Sequence, residues 1–140
     1  MTAGSSGRPA PETKQVLRPA AEERWADELA ALAAADAQRG AEIPRGWRLS
    51  PHSVRAFIVG DEDLGVTRKF YGDDPLVDRA IVTLLGRQGL MLVGEPGTAK
   101  SMLSELLAAA VCGASTLTIQ GSAGTTEDHV RYSWNYALLI

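Results

Sequence analysis

The octapeptide Gly94-Glu95-Pro96-Gly97-Thr98-Ala99-Lys100-Ser101 places two glycines, a lysine and a serine at a spacing suited to holding a phosphate. Gly94 and Gly97 give the backbone freedom to bend into a nest whose successive N–H groups donate to an anion with no side chain in the way. Pro96 stiffens that loop. Lys100 offers a mobile ammonium to the outer phosphates of a nucleotide, and Ser101 offers a hydroxyl oxygen to Mg2+. The helix that follows adds the positive end of its dipole. Such a loop implies that a nucleotide phosphate is held, without saying what is done with it. The general pattern is G-x-x-x-x-G-K-[ST], and here Ala99 stands at the second glycine. If that position needs a positive φ, alanine costs about 1–2 kcal/mol there, and if it needs only a small side chain, alanine costs little.

Other chemistry-bearing residues are poorly placed. His52 and His129 have no Cys or Asp partners at metal-ligand spacing. Ser53, Ser104 and Ser133 lack a G-x-S-x-G setting, so no catalytic residue is assigned. The carboxylates of Asp61-Glu62-Asp63 are adjacent and do not share a face, which predicts a solvated loop rather than a metal site. Cys112, in an Ala-rich helical stretch, reads as a small core residue. Trp47 and Trp134 read as packing groups.

The elements that must position the loop follow from apolar spacing and punctuation. Leu90-Met91-Leu92-Val93 is short and wholly apolar, as a buried parallel strand would be. A helix is expected from about Ala99 to Val111, and Ser115–Gln120 alternates with Leu117 and Ile119 on one face, as a second strand. Strand, helix, strand predicts an α/β unit with a parallel sheet and a right-handed crossover. Before it, Ser50 and Pro51 predict a helix start, with Val54, Phe57 and Ile58 on its apolar face and Gly60 as its stop. Asp73 or Asp74, with Pro75 in the first turn, starts another helix whose stripe is Leu76, Val77, Ala80, Ile81, Leu84 and Leu85. After the second strand, Gly121–Thr126 reads as a turn, and Thr125 or Thr126 caps a last helix carrying Val130, Trp134, Ala137 and Leu138. That helix ends on apolar residues, which predicts an element continuing in a longer protein.

Residues 1–19, rich in Gly, Ser, Pro and Ala, are expected to be a disordered tail. Residues 20–49 read as a helix and linker: Trp25, Leu29 and Leu32 form a narrow stripe, Gly40 is the stop, and Pro44 and Gly46 mark the linker. Alanine faces offer little area, so this helix is expected to pack loosely rather than serve as a docking helix. Residues 50–140 are expected to hold the phosphate loop and the elements around it.

A chain of 140 residues suits one modest domain. The formal net charge of −3 and the scattered basic residues disfavour nucleic acid as a partner. One cysteine allows no internal disulfide and fits a reducing compartment. No signal peptide and no membrane-spanning apolar run is visible, so a cytoplasmic location without membrane contact is expected.

With its flanks, YGDDPLVDRAIVTLLGRQGLMLV before and LTIQGSAGTTEDHVRYSWNYALL after, the octapeptide resembles MoxR-type AAA+ ATPases over about Ser50–Ile140. Ala99 before the lysine is similar to a variant common in that group. The resemblance implies a partial AAA+ P-loop fold, ATP and Mg2+ as cofactors, and a ring of copies that remodels or matures protein complexes, often with a von Willebrand factor A domain partner. It also implies that the segment before the helix at Pro75, Phe70-Tyr71-Gly72, lines the adenine pocket. Covering that helix's end is an equal role for these aromatics. An AAA+ enzyme further needs a Walker B Asp-Glu, a sensor residue and an arginine finger. After Ser101 the carboxylates are Glu105, Glu127 and Asp128 alone, none ending an apolar strand, so negligible hydrolysis by this chain is expected. A non-catalytic nucleotide-binding or interaction module and another P-loop enzyme, such as a small kinase, are the alternatives.

Overall fold

Five helices organise the computed structural model, which describes residues 18–119, 121, 123 and 124: α1 (Ala21–Arg24), α2 (Ala26–Arg39), α3 (Pro51–Val59), α4 (Asp74–Leu85) and α5 (Lys100–Val111). Residues 1–17 of the expected tail, Gln120 and the expected final helix with His129, Ser133 and Trp134 lie outside the described residues. α3 starts as the sequence predicts: Ser50 is the N-cap, its hydroxyl accepts from the Ser53 amide at 3.2 Å, and Pro51 fills the first turn. Gly40 closes α2 in a left-handed conformation with φ 61°, and Gly60 and Gly86 close α3 and α4. Asp73 is the N-cap residue of α4, without a side-chain capping bond.

α3 is the hub. It packs on α2, α4 and α5, while α1 packs on α2 and α5. Leu32, Leu49, Val54, Phe57, Ile58, Val77, Leu103 and Leu106 are all essentially inaccessible and come from α2, the segment before α3, α3, α4 and α5. Burial of such side chains contributes about 1.5–3 kcal/mol each.

The one helix expected between residue 20 and its stop at Gly40 is two helices. At Trp25 the backbone leaves the helical region (φ −122°, ψ 33°), and the indole meets the Phe57 ring edge-on at 6.0 Å. Nor is its packing loose. Ala21 and Leu32 are fully buried, and α2 sends the Asp36 carboxylate into the interior. There Asp36 accepts from the Ser50 amide (2.8 Å), the Ser50 hydroxyl (2.7 Å), the Ser53 hydroxyl (2.6 Å) and Arg39 (3.1 Å). Burial alone would raise its pKa; those donors outweigh it and hold the carboxyl below its usual range. Alanines supply closeness here, and polar pairing supplies the attachment.

Further contacts bind the N-terminal helices to the end of α5. The Ala21 amide donates to the Ser115 hydroxyl at 3.1 Å, the Ser115 amide donates to Glu22, and the Arg48 amide donates to the Val111 carbonyl at 2.8 Å. Cys112, expected in the core, is exposed. α5 ends at Val111, and the thiol turns back to the Ala108 carbonyl at 3.2 Å.

No β-ladder occurs among the described residues; the sole pairing there is an isolated antiparallel bridge between Asp61 and Val66. Leu90–Val93 and Ser115–Ile119, expected as parallel strands, are irregular, with Met91 and Val93 83% and 82% exposed and Leu117 86% exposed. A strand is stabilised by its neighbours' hydrogen bonds, and here the Thr118 amide bonds only locally, to the Thr116 carbonyl. The Asp61-Glu62-Asp63 segment is the turn closed by that bridge, with Glu62 and Asp63 exposed. Among the described residues no helix is long and apolar enough to cross a membrane.

Candidate phosphate-binding site

The loop ahead of α5 turns on two left-handed residues, Gly97 (φ 84°) and Ala99 (φ 56°). Glycine meets the first requirement at no cost; the alanine carries the strain that its position in the motif made conditional. Thr98 ties the loop together, its hydroxyl donating to the Glu95 carbonyl at 2.9 Å. From the first residue of α5, Lys100 reaches back over the loop: its ammonium donates to the Thr98 hydroxyl at 2.8 Å and to the Glu95 carbonyl. A Cβ added to Gly94 would lie 3.7 Å from the Lys100 Nζ and 3.6 Å from the Thr98 hydroxyl, in ordinary contact. Gly94 therefore sits directly beneath the ammonium.

α5 has no side-chain N-cap. Among the described residues, no amide from Gly94 to Met102 donates to a protein acceptor. Uncapped amides, a helix dipole and a lysine converge on one loop, and this donor set fits a polyanion. Glu95 and Pro96 are exposed.

Two cavities meet at the loop. One, of about 490 Å³, is walled by Phe70, Leu76, Met91, Leu92, Val93, Gly94, Thr98, Lys100 and Leu103. The other, of about 410 Å³, is walled by Lys69, Phe70, Tyr71, Gly72, Gly97, Thr98, Ala99 and Met102. The structure thus brings Tyr71 and Gly72 beside Gly97, Thr98 and Ala99 of the loop, 25 or more residues away in sequence. The two aromatics have separate roles: Phe70 is buried in the core, whereas Tyr71 is 85% exposed. Ser101 is not grouped with Lys100; it opens on the other flank of α5, onto a groove shared with Ser104, Glu105, Ser115 and Thr118. A hydroxyl there can offer one oxygen to Mg2+. Among the described residues no cluster of three His, Cys, Asp or Glu could hold a metal, and Glu127-Asp128 lies outside them.

The wall bearing Tyr71 is held by residues to which the sequence reading gave no part. The Arg68 side chain donates to the Phe70 carbonyl at 2.9 Å, pairs with Asp74 at the start of α4, and lies 5.9 Å from the Tyr71 ring centre. The Lys69 and Phe70 amides both donate to the Ile58 carbonyl, at 3.0 and 3.1 Å. The Lys69 side chain is buried: its ammonium donates to the Phe57 (3.0 Å) and Thr67 (2.9 Å) carbonyls, pairs with Glu28 of α2, and lies 4.3 Å from the Phe57 ring centre. Burial lowers the Lys69 pKa, and Glu28 only partly restores it. The adjacent Arg68 and Lys69 beside an aromatic were the one visible hint; Glu28, 41 residues earlier, gave none.

Residues 89–138 match the family model of the AAA domain (dynein-related subfamily), a stretch that contains the whole loop and α5. The chain is also similar to the uncharacterized protein YehL of Escherichia coli (strain K12), 54% identical over 130 residues. That alignment covers 93% of this chain and 35% of YehL, so the chain spans about a third of that relative's length. No solved structure matches. The phosphate loop and α5 thus lie within a stretch similar to an AAA domain.

Proposed function

We propose that this chain binds Mg·ATP through Gly94–Ser101 as part of a MoxR-like AAA+ ATPase that remodels or matures protein complexes. One observation carries the reading: the Lys100 ammonium lies over Gly94, on a loop whose amides and following helix N-terminus have no protein acceptor among the described residues. The AAA-domain match over the same residues supports it. In this reading Lys100 and the loop amides hold the β- and γ-phosphates, Ser101 gives an oxygen to Mg2+, and Tyr71 and Gly72 border the base.

The finer parts of the proposal follow from the family likeness over residues 50–140 and, for the rest, from composition and charge. Leu90–Val93 and Ser115–Gln120 become parallel strands of an α/β sheet once neighbouring strands are supplied, which the outward Met91, Val93 and Leu117 side chains support. Residues 1–19 act as a tail, 20–49 as the two N-terminal helices and a linker, and 50–140 as the N-terminal part of the nucleotide-binding domain. The working form is a ring of copies, with a von Willebrand factor A domain protein as partner, in the cytoplasm, without nucleic acid or membrane. Calorimetric titration with Mg·ATP and Mg·GTP tests the core of this. Wild type should bind and Lys100→Ala should lose about ten- to a hundredfold in affinity, as for a lost hydrogen bond to a charged group. Equal affinities of the two proteins would sink the assignment.

A further inference from the structure

Glu28 stands on a helix that contributes nothing to the loop, yet it grips the wall facing that loop at two points. Its carboxylate pairs with the Lys69 ammonium and accepts from both the amide (3.2 Å) and the hydroxyl (2.9 Å) of Thr67. Lys69 is only 5% exposed and is anchored in addition to the Phe57 carbonyl. One residue further on, Phe70 packs under Gly72, where an added Cβ would come within 2.3 Å of the Phe70 ring. Tyr71 is carried between them, and the same short segment shares a cavity with Gly97, Thr98 and Ala99.

A buried ion pair is a weak source of stability, because apolar replacements of similar volume are often neutral or better. Its geometric effect is the stronger one. It ties the 67–72 segment to α2, beside the bonds that hold Lys69 and Phe70 to the Phe57 and Ile58 carbonyls of α3, and that segment carries Tyr71 beside the phosphate loop. We infer that Glu28 and Lys69 are positioning residues for the base-side wall, so that α2 sets how much of the nucleotide affinity comes from the base rather than the phosphates. This rests on the nucleotide reading above and goes beyond it in assigning the N-terminal helix a part in the site.

The test compares two probes on the full chain, Mg·ATP and Mg·tripolyphosphate, which lacks base and sugar. Glu28→Gln and Lys69→Met should each weaken Mg·ATP about tenfold, the scale of one lost base-stacking contact, and leave Mg·tripolyphosphate within about twofold. Thr67→Val, at an exposed position, removes one contact to Glu28 without disturbing the core; it should weaken Mg·ATP alone, by about two- to threefold. A purely structural role would leave the ratio of the two affinities unchanged in every folded variant, Thr67→Val included, and that result overturns the inference alone. Wild type binding neither probe overturns the nucleotide reading and this inference with it.

Discussion

The Ser53 hydroxyl donates to the Asp36 carboxylate at 2.6 Å, joining the first turn of α3 to the last turn of α2 inside the core. Because Asp36 is held below its unfolded pKa, its contribution is complete above that value, near 4, and is lost as pH falls through the lower folded value. Thermal unfolding followed between pH 6 and pH 2 should therefore show an acid limb that Asp36→Asn flattens. At pH 7, Asp36→Ala should cost about 3 kcal/mol, since it strands several buried donors; urea unfolding with a loss under 1 kcal/mol would contradict the network's weight.

Ala99 takes a left-handed backbone at φ 56° where glycine would pay nothing. Relief of the side-chain penalty exceeds the extra freedom glycine gives the unfolded chain, so Ala99→Gly should stabilise the fold by about 0.5–1 kcal/mol. Gly97→Ala, at φ 84° with open space around it, should destabilise through strain alone. Urea midpoints of the two variants moving in the same direction would refute this account of the loop.

Gly72 has no room for a side chain. A Cβ there would meet the Phe70 ring at 2.3 and 2.4 Å, and that ring is 95% buried, so Gly72→Ala must displace it. The expected cost is about 1–3 kcal/mol. Unchanged unfolding together with unchanged near-ultraviolet circular dichroism would show that the wall yields freely.

Hydrolysis is expected to be negligible even where ATP binds. Phosphoryl transfer needs a residue that orients water and a charge that stabilises the transition state, and an arginine finger alone is worth about 10³–10⁵ in rate. After Ser101 the sequence has carboxylates at Glu105, Glu127 and Asp128, and none of them ends an apolar run. Release of labelled phosphate by the purified chain, abolished by Lys100→Ala, would contradict this.

Local chemistry was readable in the sequence and long-range pairing was not. Ser50-Pro51, Pro75, Gly40 and Gly60 act within a few residues of themselves, and each starts or stops a helix where its type demands. The loop before α5 was legible for the same reason, down to the conditional cost of Ala99. The break at Trp25 depends on Phe57, the burial of Asp36 depends on Ser50 and Ser53, and the Glu28–Lys69 pair spans 41 residues. None of these has a periodic or spacing signature. Strand character was read from a short apolar run and from alternation, yet a ladder also requires a neighbour, and Leu90–Val93 has none among the described residues.

Met91, Val93, Leu117 and Ile119 all turn their side chains to water, on the two stretches flanking α5. Exposed apolar side chains of this kind favour association as concentration rises, so dilution is the condition under which the binding titrations above are cleanest. Light scattering across a protein concentration series, with and without Mg·ATP, sets the range in which a measured affinity belongs to single molecules.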